Sequence, residues 1–404
     1  MKICILTIGT RGDVQPYIAL GLGLKAAGHE VAIATLVEFE ALVTAYGLQF
    51  DAIRGDFLKT AQSGGDQKLS IKLIRKWVEM AHETLADEWA SAQSADVMIY
   101  SPAALGGYHI AEKLGIPTFA AFPAPMYSPT REFPSPYFPF TNLGPFNKLS
   151  HQFLIKAGPF LYRKPIFEWR RAVLGLPPSK DETMLHGKPV PKLYAFSEAM
   201  VPRPADWDET SVVTGYWFLD APADWQPDPD LVKFLQEGST PIYIGFGSMF
   251  MGGGKQKTEI VLEALSLAGQ RAVIATGWGG LTGEIKSKDI FVLDAVPHDW
   301  LFPKVAAVVH HGGAGTTGAA VRSGKPQIIC PFIGDQFFWG RRIEKLGVGP
   351  APIPQFKLTT EKLAEAIKLA VTDRNMRQRA ASLGETIRAE NGVKHAVSYI
   401  LSKI

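Results

Sequence analysis

A glycine-rich run in the last third of the chain is the strongest candidate for chemistry. The run His310–Gly318, with the sequence HHGGAGTTG, follows an apolar segment typical of a buried strand and is predicted to open a helix. Small residues let a backbone approach a ligand closely, and the N–H groups at a helix N-terminus carry partial positive charge. The pattern favours a phosphate site over a plain tight turn. The adjacent histidines are not expected to form a metal pair, because consecutive side chains diverge.

A second glycine turn, Gly245–Ser248, comes at another predicted strand end, and a plain strand-to-loop turn would look the same. Ser248 would supply a hydroxyl opposite a diphosphate bound to the first run. Neither turn ends in Gly-Lys-Ser/Thr, and neither is a full G-x-G-x-x-G. These absences argue against an ATPase and against a nicotinamide-dependent oxidoreductase.

Asp13, in the first turn of the chain, is the candidate catalytic group. Two interpretations have similar weight. Asp13 could cap a helix that starts near Pro16, which is a common position for aspartate. Alternatively, its carboxylate is a general base at the mouth of a cleft between domains. A positioned base contributes about 10²–10⁴-fold in rate.

Two further candidate pairs of polar side chains come later in the chain. Asp335 and Gln336 follow a predicted strand and offer acceptors and donors suited to the vicinal hydroxyls of a sugar, although Asp335 could instead be a helix cap. The D-x-D pattern at 228–230 resembles a metal-binding motif but lies in a proline-rich tract. Asp230 is expected to cap the helix Leu231–Gln236, so no metal site is predicted.

Proline and phenylalanine crowd the segment between Pro123 and Phe140. Prolines deny this stretch the hydrogen bonds of a sheet, while its aromatic side chains need burial. A loop packed on the domain surface and an apolar wall around an acceptor are equally compatible with the pattern. For the second alternative, the expected acceptor contacts are Phe122, Met126, Phe133 and Phe138.

The elements that must position these residues form two series of alternating strands and helices. The first starts with the strand Ile3–Ile8 and a helix over Pro16–Ala27, and the second starts near Thr240. The fold class is α/β, with two facing, doubly wound Rossmann-like domains. The first covers 1–219, a linker covers 220–239, and the second covers 240–404 with a terminal helix. Ligands of such sheets lie at the carboxyl ends of the strands.

Composition narrows the choice of function. The chain has 404 residues, a formal net charge of +3 and no basic cluster that would track nucleic acid. No apolar stretch reaches about 18 residues, so no membrane span is expected, and peripheral contact with a membrane is left open. The two cysteines, Cys4 and Cys330, lie in apolar runs. They indicate a reducing compartment, and a cytoplasmic location is expected.

Five sequence blocks, in order, resemble the two-domain GT-B glycosyltransferases that use UDP-sugars, and within them the sterol glucosyltransferase branch. The resemblance spans nearly the whole chain. The blocks are Thr7–Tyr17, Pro129–Pro134, Val296–Phe302, His310–Thr317 and Pro331–Gln336.

The resemblance implies a role for each block. His311, Ser248 and the run Gly313–Thr316 would hold the donor diphosphate, the turn at Val296–His298 would contact the base and ribose, and Asp335 with Gln336 would bind the sugar. Plant relatives carry a catalytic histidine in a Gly-His-x-x-Pro motif, and Asp13 replaces it in this chain. The full set implied for the donor is Gly12, Ser248, Val296, His298, His311, Gly313, Ala314, Gly315, Thr316, Asp335 and Gln336.

The resulting hypothesis is an inverting transfer of a hexose, by resemblance glucose from UDP-glucose, onto a hydroxyl of a sterol, triterpenoid or other apolar small molecule. Asp13 would take the proton, and the helix end with His311 and Ser248 would stabilise the leaving diphosphate in place of a metal ion. No cofactor is expected. A transferase of the lipid-linked cell-wall type, a nucleotide-sugar epimerase and a non-catalytic nucleotide-sugar sensor are the alternatives.

Overall fold

The computed structural model describes residues 1–55, 71–179, 181–247, 254–276 and 287–404. Within these ranges, two parallel sheets form one after the other along the chain. The first sheet has the strand order β3-β2-β1-β4-β5-β8-β9, and a short antiparallel hairpin, β6-β7, stands apart. Its strands are β1 (Lys2–Leu6), β2 (Glu30–Leu36), β3 (Gln49–Ile53), β4 (Val97–Tyr100), β5 (Thr118–Phe122), β8 (Lys192–Tyr194) and β9 (Ser211–Val213), with β6 at Met184–Leu185 and β7 at Lys188–Pro189.

The second sheet has the order β12-β11-β10-β13-β14. In each sheet the order reverses beside the strand that comes first along the chain, between β1 and β4 and between β10 and β13. Such a reversal opens a crevice at the carboxyl ends of the two strands. The strands are β10 (Ile242–Gly245), β11 (Ala272–Ala275), β12 (Ile290–Leu293), β13 (Val308–His310) and β14 (Gln327–Ile329).

Helices connect the strands of both sheets. In the first domain they are α1 (Arg11–Ala26), α2 (Glu40–Ala45), α3 (Ile71–Ala92), α4 (Gly107–Leu114), α5 (Asn147–Ala157) and α6 (Arg163–Trp169). Along the rest of the chain they are α7 (Pro229–Gln236), α8 (Gly254–Ala268), α9 (His298–Leu301), α10 (Ala314–Arg322), α11 (Gln336–Lys345), α12 (Thr360–Thr372), α13 (Arg374–Ala389) and α14 (Gly392–Leu401).

The central strands are buried on both faces. Consecutive residues Ile3 to Leu6 of β1 are at most 2% exposed, and all four residues of β10 are buried. Continuous apolar runs of this kind are typical of parallel strands covered on both sides. The predicted fold class, two doubly wound α/β domains, is confirmed.

An apolar cluster joins the two domains. The ring of Phe196, in the first domain, meets the fully buried Trp339 of α11 at 6.2 Å between centroids. The guanidinium of Arg342, also on α11, donates to the carbonyl oxygen of Met200. The two sheets are therefore held against each other by burial of large side chains and not only by the linker.

The last helix, α14, packs on the first domain. Ala396 and Ile400 are fully buried in the core around the first sheet. A Cβ atom on Gly23 of α1 would lie 2.4 Å from Cγ1 of Val393, so the two helices approach closely at this glycine. The expected range of 240–404 for the second domain included this helix. In the structure, the chain crosses the cleft again, and α14 packs on the first domain.

Candidate active site

The turn after β1 brings Asp13 to the first crevice. Helix α1 begins at Arg11, with Thr10 as its N-cap, so Asp13 is the third helical residue. The expectation that Asp13 would cap a helix starting near Pro16 was wrong in this detail. The helix starts five residues earlier because Thr10 and Asp13 complete its first turn together.

The carboxylate of Asp13 is held from one side. Its Oδ2 accepts from the backbone N–H of Thr10 at 2.7 Å and from the hydroxyl of the same residue at 2.9 Å. Gly9 has a φ of +146°, and a Cβ there would lie 2.5 Å from this oxygen, so the carboxylate occupies space that only glycine leaves. Within the described part of the chain, the second oxygen, Oδ1, accepts no hydrogen bond.

Burial raises the pKa of Asp13, and the two hydrogen bonds from Thr10 oppose that rise. A carboxylate with one oxygen anchored, one oxygen free and a raised pKa has the properties of a general base. Asp13 therefore also has the structural role that was the alternative to catalysis, because it helps to cap α1. This role leaves the second oxygen available.

A cavity of about 200 Å³ lies against Asp13 in the first domain. Its wall comes from the carboxyl ends of β1, β4 and β5, which is where a doubly wound sheet places its ligands. Most of the wall is apolar. The lining residues are Ile8, Gly9, Gly12, Asp13, Pro16, Tyr17, Ser101, Pro102, Ala103, Phe122, Pro123, Met126, Tyr137, Ala195 and Trp217.

Of the four expected acceptor contacts, the cavity wall includes Phe122 and Met126. Phe133 packs instead on Phe338 of the second domain at 5.5 Å between ring centroids. Phe138 stacks on Phe140 at 6.4 Å, and its carbonyl accepts from Arg341. Phe133 and Phe138 therefore help to join the domains and lie outside the cavity lining.

Two cavity residues were missed by the sequence reasoning. Tyr137 lies in the proline-rich loop and lines the cavity, and its ring is 3.6 Å from the Cβ position of Gly334 in the second domain. Its place between Pro136 and Phe138 was a signal that could have been used. Trp217 also lines the cavity, and nothing in the surrounding sequence marks it.

The glycine-rich run lies at the crevice of the second sheet. His310 ends β13 and is fully buried, with Nε2 2.9 Å from Oε1 of Gln327. Its Nδ1 accepts from the N–H of Gly312 at 3.1 Å, which fixes the turn. Burial lowers the pKa of His310 to about 3, so its imidazole is neutral. His310 is a structural support for the run.

His311 points toward the turn after β10. Gly247 has a φ of +70°, and a Cβ there would be 2.9 Å from Cε1 of His311, so only glycine allows the ring to lie in this position. Burial lowers the pKa of His311 to about 4. Its Nδ1 is buried and makes no hydrogen bond with any described residue. A phosphate oxygen would satisfy this nitrogen and favour its protonation.

The N-termini of α1 and α10 face each other across the domains. A Cβ on Gly315 would be 3.8 Å from the carbonyl oxygen of Gly12 and 3.9 Å from its Cα. Gly313 is the N-cap of α10, and Ala314 is its first residue, with Thr316 in the same turn. The first turns of the two helices therefore meet, and the partial positive charges of their N-termini favour an anion in the gap beside this contact.

Asp335 and Gln336 begin α11 beside this gap. Oδ2 of Asp335 accepts from the indole N–H of Trp339 at 2.9 Å. Burial raises the pKa of Asp335 to about 6, the Trp339 hydrogen bond opposes the rise, and the charge of Asp13 adds to it. The cavity wall reaches this turn, because the ring of Tyr137 lies 3.6 Å from the Cβ position of Gly334.

Gln336 uses its carbonyl oxygen within its own turn. Oε1 accepts from the backbone N–H groups of Phe332 at 2.7 Å and Ile333 at 3.1 Å. Its amide nitrogen makes no hydrogen bond within the described ranges, so it is left as a donor. Asp335 occupies the N-cap position of α11, but its side chain makes no cap hydrogen bond, which leaves Oδ1 for a ligand.

Val296 and His298 lie at the start of α9. The imidazole of His298 stacks on Phe302 at 4.2 Å between centroids. Burial lowers its pKa to about 4, and the positive charge of Arg11 lowers it further. Val296 is partly buried in the same apolar cluster. Ser248 lies outside the described residues, so its expected role stays a prediction.

Other expectations concern the surroundings of the site. Asp228, and not Asp230, caps α7 by accepting from the N–H of Asp230 at 2.8 Å, which corrects the predicted cap. Among the described residues, no group of three His, Cys, Asp or Glu side chains could hold a metal ion. None of the helices in the described ranges combines the length and the hydropathy of a membrane span. Cys4 and Cys330 are free and buried.

Comparison with known proteins agrees with this architecture. Residues 3–132 match the glycosyltransferase family 28 N-terminal domain, and residues 274–399 match the C-terminal domain of erythromycin biosynthesis protein CIII-like proteins. The chain is 39% identical to a sterol 3-beta-glucosyltransferase of Cryptococcus neoformans over 99% of its own length and 27% of that protein. It is also 39% identical to one of Emericella nidulans, covering 99% of this chain and 30% of the relative. The chain thus spans less than a third of the length of these curated relatives.

Solved structures share the fold at lower identity. The glycotransferase of kitacinnamycin superposes with a TM-score of 0.74 at 20% identity, covering 100% of this chain and 98% of the other. CalG4, the calicheamicin glycosyltransferase, gives 0.68 at 15% identity, with 99% and 97% covered. Two matched domains in order, the relatives at 39% identity and the shared fold confirm that the chain belongs to the GT-B glycosyltransferases, in the branch that resembles the sterol glucosyltransferases.

Proposed function

We propose that this chain transfers a hexose from a nucleoside diphosphate donor to a hydroxyl of an apolar acceptor, with inversion at the anomeric carbon. One observation carries the proposal. Asp13 lines the apolar cavity of the first domain and lies in the helix turn whose Gly12 faces Gly315 across the cleft. A base positioned between an acceptor cavity and an anion-binding gap is the arrangement that glycosyl transfer requires.

The donor binds through its diphosphate. The convergent ends of α1 and α10 and the unpaired Nδ1 of His311 supply positive potential and a hydrogen bond without a metal ion. Asp335 and the amide of Gln336 hold the sugar hydroxyls, while Val296 and His298 contact the base and ribose. With these assignments, the anomeric carbon would lie between Asp335 and Asp13.

In the transfer step, the acceptor O–H proton moves to Oδ1 of Asp13. The acceptor oxygen forms its bond to the anomeric carbon on the face opposite the diphosphate. The bond from that carbon to the diphosphate oxygen breaks, and the nucleoside diphosphate leaves with the electron pair. Helix N-termini and His311 stabilise the charge that develops on the leaving group.

The acceptor we propose is a sterol or another rigid apolar alcohol. The relatives over the whole chain are named sterol 3-beta-glucosyltransferases, which supports a sterol and a glucosyl donor. The cavity of about 200 Å³ is smaller than the ~300–1,000 Å³ typical of ligand pockets. It fits the hydroxyl-bearing end of such a molecule, and the remainder would extend beyond the cavity.

The identity of the donor nucleotide also has to be tested. UDP-glucose is favoured by the sequence resemblance. Two structural neighbours, SsfS6 of Streptomyces sp. SF2575 and VinC, were solved with thymidine diphosphate or dTDP, and they have TM-scores of 0.66 and 0.68. Both donors therefore belong in the assay.

The test is product analysis with defined acceptors. The protein is incubated with UDP-glucose or dTDP-glucose and a panel of sterols, triterpenoids and flavonoids, and glucosides are detected by mass spectrometry. We expect a sterol glucoside whose anomeric configuration, read from the proton coupling by NMR, is opposite to that of the donor. A product with retained configuration, or no transfer to any alcohol, would contradict the proposal. An epimer formed from the donor alone would instead support an epimerase.

A further inference from the structure

Helix α5 buries polar side chains and exposes apolar ones. Its buried face is polar, since Asn147, Ser150 and His151 are 2%, 7% and 0% exposed. Its outward face is apolar, since Phe146 at its N-cap and Phe153 are each 63% exposed and Leu149 is 54% exposed. A helix on the surface of a water-soluble domain normally shows the opposite pattern. Phe160, in the turn that follows, is 73% exposed.

The buried polar face is tied to the acceptor loop. Nδ2 of Asn147 donates to the carbonyl of Arg131, and the hydroxyl of Ser150 accepts from the N–H of Ser135 at 2.8 Å. The ring nitrogens of His151 lie 3.4 Å and 3.1 Å from the carbonyl oxygens of Met126 and Phe133. Met126 lines the acceptor cavity. The same helix therefore supports the cavity loop from one side and presents phenylalanine on the other.

The segment around this face is strongly basic. Residues 143–171 hold six basic residues and one acidic residue, whereas the whole chain is close to neutral at +3. The side chain of Lys164 is 83% exposed. The basic residues are Lys148, Lys156, Arg163, Lys164, Arg170 and Arg171, and the acidic one is Glu168. Arg170 is buried and paired with Glu112, so the other five are the ones that can reach a surface.

We propose that the outward face of α5, formed by Phe146, Leu149 and Phe153, inserts into the surface of an anionic lipid bilayer. Apolar side chains on one face with basic residues around them are the features that hold a helix at a membrane surface. Each Lys or Arg near an anionic leaflet adds about 1 kcal/mol of attraction. The contact would set the acceptor loop beside a lipid phase from which an apolar alcohol can be drawn, and this last consequence alone rests on the proposed function.

A second copy of the chain fits the face less well. A two-fold contact pairs a surface with itself, so the basic segment of one copy would face that of the other. Stable protein interfaces are also depleted of lysine. The basic segment is complementary in charge to an anionic surface and not to a second copy of itself.

The test is co-sedimentation with vesicles of phosphatidylcholine alone and of phosphatidylcholine with about a third phosphatidylserine. The variant F146S/F153S removes two exposed rings without opening the core. Its matched control is Phe356→Ser, because Phe356 is 72% exposed in the second domain. Unchanged melting temperatures show that both variants are folded.

We expect the wild type and Phe356→Ser to bind the anionic vesicles. F146S/F153S should lower the partition coefficient about tenfold or more, since burial of a single phenylalanine ring already corresponds to about a tenfold factor. No binding of the wild type, or equal binding of all three proteins, would overturn the proposal. A wild-type dimer in light scattering that F146S/F153S dissociates, with no vesicle binding, would assign the face to a second copy.

Turnover separates this proposal from the proposed function. F146S/F153S should raise the apparent KM for a sterol presented in vesicles and leave transfer to a detergent-dispersed sterol unchanged. Transfer without vesicle binding would defeat only the membrane contact. Vesicle binding without transfer to any alcohol would defeat only the glycosyltransferase assignment.

Discussion

The substitution Gly315→Ala should affect the stability of α10 and the binding of the donor in the gap in front of it in opposite senses. Gly315 is the second residue of α10 and does not have a positive φ. An added Cβ would lie 3.8 Å from the carbonyl oxygen of Gly12, which is an ordinary van der Waals distance. Alanine stabilises a helix by about 0.5–1 kcal/mol relative to glycine. For a domain of this size, that corresponds to a rise in Tm of about 1–4 °C.

The same methyl group should weaken donor binding. It would project from the first turn of α10 into the edge of the gap where we place the diphosphate. We expect the Kd for UDP, measured by calorimetry, to rise about tenfold or more, which is about 1.4 kcal/mol. Stability and affinity thus change in opposite senses, which a general loss of structure could not produce.

The matched control is Gly158→Ala. Gly158 has helical angles, and a Cβ there would meet nothing within 4 Å. Gly158 lies far along the chain from both glycine turns. The Gly158→Ala protein should therefore have an unchanged or higher Tm and an unchanged Kd for UDP. A Gly315→Ala protein with a raised Tm and an unchanged Kd would show that the diphosphate does not lie in this gap.

Three further predictions concern single side chains. Thr10→Val removes a hydroxyl hydrogen bond that lowers the pKa of Asp13, so the acid limb of the pH profile of kcat/KM should move to higher pH. Arg170→Met should lower the free energy of unfolding in urea by roughly 3 kcal/mol, because this buried guanidinium donates to Glu112 at 2.8 Å. Burial raises the pKa of Glu88 from its ordinary 4.5 to about 8, so the folded protein keeps a proton that the unfolded chain releases. Stability should therefore fall as pH rises from 4.5 to 8, and Glu88→Gln should flatten that urea-measured dependence.

Strand positions were predictable where apolar residues run without interruption. The predicted first strand, Ile3–Ile8, includes four of the five residues of β1, Lys2–Leu6. A strand that is buried on both faces has apolar residues at consecutive positions, so it stands out in the sequence as a continuous apolar run. The glycine turns at the strand ends could be located for the same reason, since they interrupt these runs.

Helix starts were less predictable. Pro16 lies inside α1 and not at its beginning. Proline lacks an N–H, so the carbonyl of Gly12 loses its partner one turn ahead. That carbonyl is the one that faces Gly315, so the irregularity lies at the proposed donor gap. Local preference placed the helix start at Pro16, whereas the cap formed by Thr10 and Asp13 decides it.

Contacts between distant segments could not be read from the chain. Phe133 and Phe138 were grouped with Phe122 because all four expected acceptor contacts share one apolar stretch. Periodicity cannot say which of these rings faces a cavity and which faces the other domain. The return of α14 to the first domain is a long-range contact of the same kind, and so is the packing of the polar face of α5.

The central claim is that Asp13 acts as a base while the second domain holds the donor. Asn retains an oxygen for both Thr10 hydrogen bonds, so Asp13→Asn should fold normally. The most direct measurement is single-turnover transfer by this variant, with the Kd for UDP determined on the same preparation. We expect an unchanged Kd and a transfer rate lower by about 10²–10⁴-fold. Transfer at the wild-type rate would contradict the account.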